Sequence, residues 1–402
     1  MNTFILKNIK TENTLWNDTT SHVKDLTKRN HLLIKNGKIY AYISTEELQA
    51  YDNIKIIEGE NLLLLPSFRE MHCHLDKSKL GTSWSPISKA NSIIERFENE
   101  PNELNKLPLS LQKRAENLVK LEIDKGVTHF RTHIDVHSNV GLDYLNETRN
   151  VINKYNGKAS FDVVAFPQHG LLRSKSIPIV EKALNNGANI IGGVDPNSVD
   201  NDFQKSLFET FNLAVKYDVD IDIHIHDRNA QFVETLKYLL HLTKESNWQN
   251  RVTLSHAFGL NDLGNQTEEL FNRMSQNQIQ VISSVPLSGE IPPLEQLRKH
   301  KVPVSLGCDN IYDSWSPYGD ADIKEKLVRY GEIFGIKYHN EITHLLPLIT
   351  GKSLDLSNNE NISGLNLGDD ANFVLVEADC IAEFIARPSK IVYNFYQGKQ
   401  VK

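Results

Sequence analysis

From Leu62 onward, short apolar or β-branched runs alternate with longer amphipathic segments. The runs read LLLLPSFREMHCHLD, VTHFRTHIDVH, FDVVAFPQHG, ANIIGGVDP, VDIDIHIHD, RVTLSHAFG, IQVISSVP and VPVSLGCDN, eight in all. Short apolar runs closed by turn residues predict buried strands. Between the first two, Leu111, Ala115, Leu118, Val119 and Ile123 fall on one helical face, and Gly126 stands where a C-terminal cap belongs, which predicts an amphipathic helix. Strands alternating with helices predict a parallel sheet, and eight such units predict an α/β protein built on a (β/α)8 TIM barrel, here over residues 61–364.

The two ends are patterned differently. His31 to Ile43 holds two apolar runs around Asn36-Gly37, the strongest short hairpin signal in the chain. Ile391 to Tyr396 is a β-rich run that turns at Gln397-Gly398. β-rich ends flanking a long middle predict a small β-sandwich domain built from both termini, residues 1–60 plus 365–402. The Asn-rich stretch Ser353 to Gly364 reads as the linker between the two.

Composition narrows the function classes. With 40% apolar and 24% charged residues and a formal charge of -7, the 402-residue chain has the balance of a soluble globular protein. No clustered basic face is visible, so nucleic acid and anionic membranes drop out as expected partners. Met1 to Lys10 lacks a signal-peptide core and Leu62 to Leu65 is far short of a membrane span, so the expected location is cytoplasmic. Cys73, Cys308 and Cys380 are scattered and contain no CxxC pair, which excludes a cysteine-ligated deaminase zinc site. A small-molecule substrate is the partner left, with homo-oligomerisation open.

Metal-competent residues collect at the C-terminal ends of the runs, the catalytic face of a barrel. The first run ends in His72, Cys73 and His74; alternation along a strand puts the two histidines on one face and Cys73 on the other. The fifth run supplies His224 and His226, followed by Asp227; the sixth ends in His256 and the eighth in Asp309. Imidazoles and a carboxylate arriving from independent strand ends suit one divalent cation, zinc or iron. A bridged pair of metals would need a further ligand, typically a modified lysine at the end of strand four, and the chain there has none before Lys205. Asp195, in the same place, either enters the site or caps the next helix.

The motifs MHCHLDKS, RTHIDVH, VAFPQHGLL, IDIHIHD, TLSHAFGL and GCDNIYDSWSPYGDAD, in this order, resemble the amidohydrolase superfamily and specifically its cytosine deaminase-like branch. The resemblance spans roughly residues 60–325, and GLNLGDDANFVLVEA is similar to the family's return into its small β-sandwich. It implies His72, His74, His224 and Asp309 as metal ligands, His256 beside the metal-bound water, Gln168 as a substrate-amide contact and Trp315 as a pocket wall. Two departures stand out. Where cytosine deaminases carry a proton-shuttling glutamate this chain has Asp227, so the role stays there or passes to His226. Where they carry a second aspartate after the strand-eight ligand it has Asn310, which argues against cytosine itself. HLDKS, with Lys77, is also similar to N-isopropylammelide isopropylaminohydrolase, a triazine-processing relative.

The implied reaction is attack of a metal-activated hydroxide on an sp2 carbon, with Asp309 accepting a proton, His256 donating to the developing oxyanion and Asp227 protonating the leaving nitrogen. Gln168 offers donor and acceptor to a C(=O)-NH edge. Lys77 is either a substrate contact or half of an ion pair behind the site, and Trp315 and Tyr318 either wall the pocket or pack their loop. Deamination or dealkylamination of a cytosine-like pyrimidine or triazine stands first. Hydrolysis of a linear or cyclic amide stands second, and a catalytically inactive binding protein third.

Overall fold

The computed structural model describes residues 3–16, 22–23, 26–287, 291–352, 354 and 364–402. The terminal sheet comes first in the chain: β1 (Thr3–Glu12), β2 (Thr27–Lys35), β3 (Lys38–Ile43), β4 (Lys55–Glu58) and β5 (Leu63–Pro66). The barrel strands follow: β6 (Phe68–Cys73), β7 (Val127–Asp135), β8 (Ser160–Phe166), β9 (Ile190–Val194), β10 (Asp220–Ile225), β11 (Val252–His256), β12 (Gln280–Ser283) and β13 (Val304–Leu306). The chain then returns through β14 (Phe373–Val376), β15 (Ile391–Tyr396) and β16 (Lys399–Gln400).

Strands β6 to β13 pair in sequence order and all in parallel, the barrel predicted from the eight runs. The helix read between the first two runs is α2 (Leu111–Asp124), preceded by α1 (Ile93–Asn105). Gly126 follows α2 at φ +92°, and a Cβ there would fall 2.8 Å from the Phe68 ring, so the turn from helix to strand needs a glycine both for its backbone and for its space. Within the terminal sheet β2 and β3 form the expected hairpin, with Asn36 at φ 54° and Gly37 at φ 77°.

Both termini build one eight-stranded mixed sheet, ordered β16-β15-β14-β5-β1-β2-β3 with β4 on β1. One apolar side is filled by Phe4, Leu6, Leu32, Ile34, Phe373 and Phe395, the other by Ile5, Leu33 and Ile43. The crossing into the barrel lies at Ser67 rather than after residue 60, because Leu63 to Pro66 pair antiparallel with β14. A buried leucine run has no polar alternation to say which sheet it joins. Most of the expected linker, Ser353 to Gly364, lies outside the described residues. Among the described residues no helix is long and apolar enough to cross a membrane.

Candidate metal centre

Six histidines converge at the C-terminal mouth of the barrel. His72 and His74 leave the end of β6, His133 stands on β7, His224 and His226 on and just beyond β10, and His256 closes β11. The rings of His72 and His224 lie 4.6 Å apart centre to centre, and His133 sits 4.2 Å from His72 and 4.5 Å from His224. From just beyond the neighbouring last strand, β13, Asp309 Oδ1 comes to 3.6 Å from His72 Nε2 and 3.5 Å from His74 Nε2. Cys73 points the other way, its thiol on the Arg131 carbonyl at 3.6 Å.

Burial drives four of these histidines toward the neutral form, whereas for His74 burial is outweighed by the hydrogen bond and charge of Asp309, which raise its value. His72, His133 and His224 are pushed well below the ordinary imidazole value by burial and by the charge of neighbouring histidines, so they are neutral and have lone pairs to offer. His256 falls to about 4 through burial and the neighbouring His226. Burial opposes ionisation of Asp309, yet the histidines around it hold its carboxyl far below the usual range.

The His72 ring is fixed from behind. Its Nδ1 lies 2.9 Å from Ser255 Oγ, which donates to Asp222 Oδ1 at 2.7 Å, while Arg131 donates to Asp222 Oδ2 at 3.1 Å. Since the serine proton is spent on Asp222, Nδ1 is the protonated nitrogen of His72 and Nε2 carries the free lone pair. Buried His72 Nε2 and both nitrogens of His224 have no hydrogen-bond partner among the described residues. Orphaned imidazole nitrogens next to a buried carboxylate are costly unless something ligates them, and a divalent cation fits this donor set. Among the described residues, His72 with His256 and Asp309, and His72 with His133 and His224, are the two triads whose donor atoms lie within 4.8 Å of one another.

Beside the cluster lies a cavity of about 230 Å³. His74, His224, His226, His256, Asp309 and Asn310 form its polar end, and Ile93, Phe97, Phe166, Val194 and Trp315 its apolar wall. Gln168 and Lys77 face it from one side, tied to each other. Lys77 Nζ donates to Glu100 at 2.6 Å, Asp135 at 2.8 Å and Gln168 Oε1 at 2.7 Å, which occupies all three of its protons. Glu100, from α1, also accepts from Gln168 Nε2 at 2.7 Å and from Trp315 Nε1 at 2.8 Å. Gln168 is thereby held with its oxygen toward Lys77 and one N–H left for the cavity.

Asp227 does not line this cavity. Its carboxylate turns to the loop after β9, accepting from Asn197 N at 3.3 Å and Ser198 N at 3.4 Å. His226 does line it, with Nδ1 2.8 Å from Asp195 Oδ2; burial works against the imidazolium, but Asp195 more than offsets this and raises its value. Asp195 therefore neither joins the metal cluster nor caps a helix: Asp202 caps the helix that follows, Phe203–Tyr217. Tyr318 is exposed, on the loop rather than in the pocket.

Sequence reasoning passed over Glu70, Glu100, His133, Asp222 and Ser255. His133 lies within the quoted RTHIDVH run and Asp222 two residues before His224, where alternation would have placed it one layer below. Glu100 sits in a helix and carried no signal. Three of the strand-end residues, Asp195, His256 and Asp309, have left-handed backbones at φ 36°, 69° and 62°, a conformation that aspartate and histidine adopt more readily than most residues and that gathers at functional sites.

An amidohydrolase family model matches residues 168–401. The uncharacterized protein YahJ of Escherichia coli strain K12 is 36% identical over 94% of this chain and 83% of its own length. The crystal structure of N-isopropylammelide isopropylaminohydrolase from Burkholderia multivorans ATCC 17616 superposes with a TM-score of 0.88 at 27% identity, over 100% of this chain and 98% of that one. A 5-methylcytosine deaminase from Klebsiella pneumoniae, at 21% identity and a TM-score of 0.80 over 100% and 97% of the two chains, shares the fold.

Proposed function

The chain belongs to the amidohydrolase family, as a hydrolase of carbon–nitrogen bonds other than peptide bonds, and from that premise we propose that it binds one divalent cation and deaminates or dealkylaminates an N-heterocycle. The observation that carries this reading is the set of neutral, unpartnered imidazole nitrogens beside Asp309 at the polar end of a cavity whose other wall is aromatic and aliphatic. His72, His74, His224 and Asp309 would hold the cation. When bound, such a cation supplies a Lewis acid and lowers the pKa of a coordinated water from 15.7 to about 7.

The chain's own residues do the rest. Phe97, Phe166, Val194 and Trp315 cover the faces of a flat ring and exclude water from it. The free N–H of Gln168 meets a carbonyl or ring nitrogen at the substrate's edge, and Asn310, neutral and able both to donate and to accept, meets another. Asp309, ionised at neutral pH, accepts the proton of the attacking water. Neutral His256 donates a hydrogen bond to the oxygen on which negative charge develops. His226, whose protonated form Asp195 favours, protonates the leaving nitrogen, a role assigned to it rather than to Asp227 because only His226 faces the cavity.

A panel assay tests the proposal. Protein purified without chelator should contain near one equivalent of zinc, iron or manganese, and should release ammonia or an alkylamine from aminopyrimidines, aminopterins or aminotriazines. Carboxylate release from N-acyl amino acids with no amine release from any ring would move the protein to the amidases. Two equivalents of metal would overturn the single-cation assignment.

A further inference from the structure

The first and last barrel strands carry His72, His74 and Asp309, yet no ladder joins them. β6 pairs with β7 and β13 with β12, and across the gap the described residues show one bridge, between Cys73 and Asp309. The barrel is therefore closed, at the metal centre itself, by a few individual contacts. Asp309 N donates to the His72 carbonyl at 2.6 Å. Gly307 lets the strands approach: a Cβ there would lie 2.6 Å from His72 N and 2.8 Å from His72 Cα.

β6 also bulges at this point. Glu70 pairs with Phe130 and Cys73 with Thr132, one residue more on β6 than on β7. A bulge leaves its extra residue without a ladder partner. The His72 N–H donates instead to Glu70 Oε1 at 2.8 Å, and from the opposite side of the seam the Cys308 N–H donates to the two oxygens of Glu70 at 2.9 and 3.0 Å. Glu70 is fully buried, so these bonds are made without competition from water.

We infer that Glu70 is a positioning residue for the metal centre. Its carboxylate ties the backbone of His72 to the residue before Asp309, and so sets the spacing of the ligands contributed by the first and eighth strands. The inference rests on the metal reading of the site. Metal–ligand distances tolerate only about 0.2 Å, so a seam that relaxes by more than this weakens binding. Glutamine at position 70 would keep one acceptor oxygen but turn an N–H toward the Cys308 N–H, opposing donor to donor.

Titration with Co²⁺, followed by its visible absorption bands, tests this on the full chain in the wild type and in Glu70→Gln, Gly307→Ala and Glu122→Gln. Glu122, equally buried on α2 and near enough to Glu70 for their charges to repel, has no hydrogen-bond partner for either oxygen among the described residues, and so controls for the loss of a buried carboxyl beside the seam that ties none of its backbone. Glu70→Gln and Gly307→Ala should each weaken cobalt binding by about tenfold or more, as loss of outer-sphere support does, and shift the absorption bands. Glu122→Gln should leave affinity and bands as in the wild type, whatever it does to the melting temperature. Wild-type affinity and spectrum in Glu70→Gln and Gly307→Ala overturn the inference, as does a Glu122→Gln protein whose bands move equally far. Should Glu70→Gln fail to fold, Glu70→Asp, which keeps the charge but draws the carboxylate back by one methylene from the two backbone donors, takes its place with the same expected and overturning results. A wild-type chain that takes up no cobalt overturns the metal reading, and this inference with it.

Discussion

Replacing Lys77 with methionine keeps the side chain's unbranched apolar stem, one atom shorter, and removes its charge. Lys77 is 1% exposed and lies between Glu100 and Asp135, 2.6 and 2.8 Å away. Burial opposes ionisation of Asp135, yet Lys77 and His137 hold its carboxyl well below the usual range. Without Lys77 two buried carboxylates face each other with no ammonium between them, and removing one partner of a buried ion pair costs ~3–5 kcal/mol. A second route bounds the cost. The variant can protonate one of the two carboxyls, which for a group of ordinary pKa near 4 costs ~1.4 kcal/mol per pH unit, or about 4 kcal/mol at pH 7.

The sign follows from linkage. In the variant the carboxyl binds its proton more tightly folded than unfolded, so the penalty is absent below about pH 4 and grows as pH rises toward 7. Urea unfolding of metal-free protein at pH 5 and pH 7 reads this directly. The double variant Lys77→Met/Glu100→Gln removes one of the opposed charges and should recover about 2 kcal/mol or more of the loss at pH 7. A Lys77→Met penalty under about 1 kcal/mol at pH 7, a penalty equal at both pH values, or no recovery in the double variant would refute the reasoning. Lys77 would then be a free substrate contact, with its ion pairs contributing nothing.

Four further outcomes are expected. Asp309→Asn should abolish turnover even where some metal is retained, whereas His256→Asn should keep the metal and lower kcat by about 10²-fold, read by elemental analysis beside steady-state rates. Asp195→Asn removes the anion that raises His226, so the alkaline limb of the rate–pH profile should move to lower pH; an unmoved limb would take proton delivery away from His226. Asp313 is fully buried and pushed up to about 7, and one oxygen accepts both Trp315 N and Ser316 N, so Asp313→Asn keeps both bonds. Because the native state holds that proton between about pH 4 and 7, wild-type stability falls there as pH rises, and the variant should gain on it by roughly 1.4 kcal/mol per unit in denaturation midpoints taken across the range. Wild-type turnover of cytosine should be poor, and Asn310→Asp should raise it; a wild-type kcat/KM near 10⁵ M⁻¹s⁻¹ on cytosine would return the protein to plain cytosine deamination.

What could be read from the chain alone was whatever repeats or alternates locally. Eight apolar runs separated by helical stretches required a parallel barrel, and the position of His72, His74, His224, His256 and Asp309 at the ends of their runs required them to meet at one mouth, since all parallel strands end on the same face. Hairpin signals at Asn36-Gly37 and Gln397-Gly398 were equally local, because each depends on residues that tolerate positive φ. The tertiary structure decided matters that depend on separation in space and not in sequence. Leu63 to Pro66 went to the terminal sheet because β14, some 300 residues later, lies beside it. Asp227 and His226 are neighbours in the chain, and only the loop after β9 turns one away from the cavity while Asp195 holds the other toward it. Glu100 and Glu70 carry no pattern at all. Their work comes from burial, which removes water as a competitor and makes a single carboxylate bind donors from strands and loops that the sequence keeps far apart.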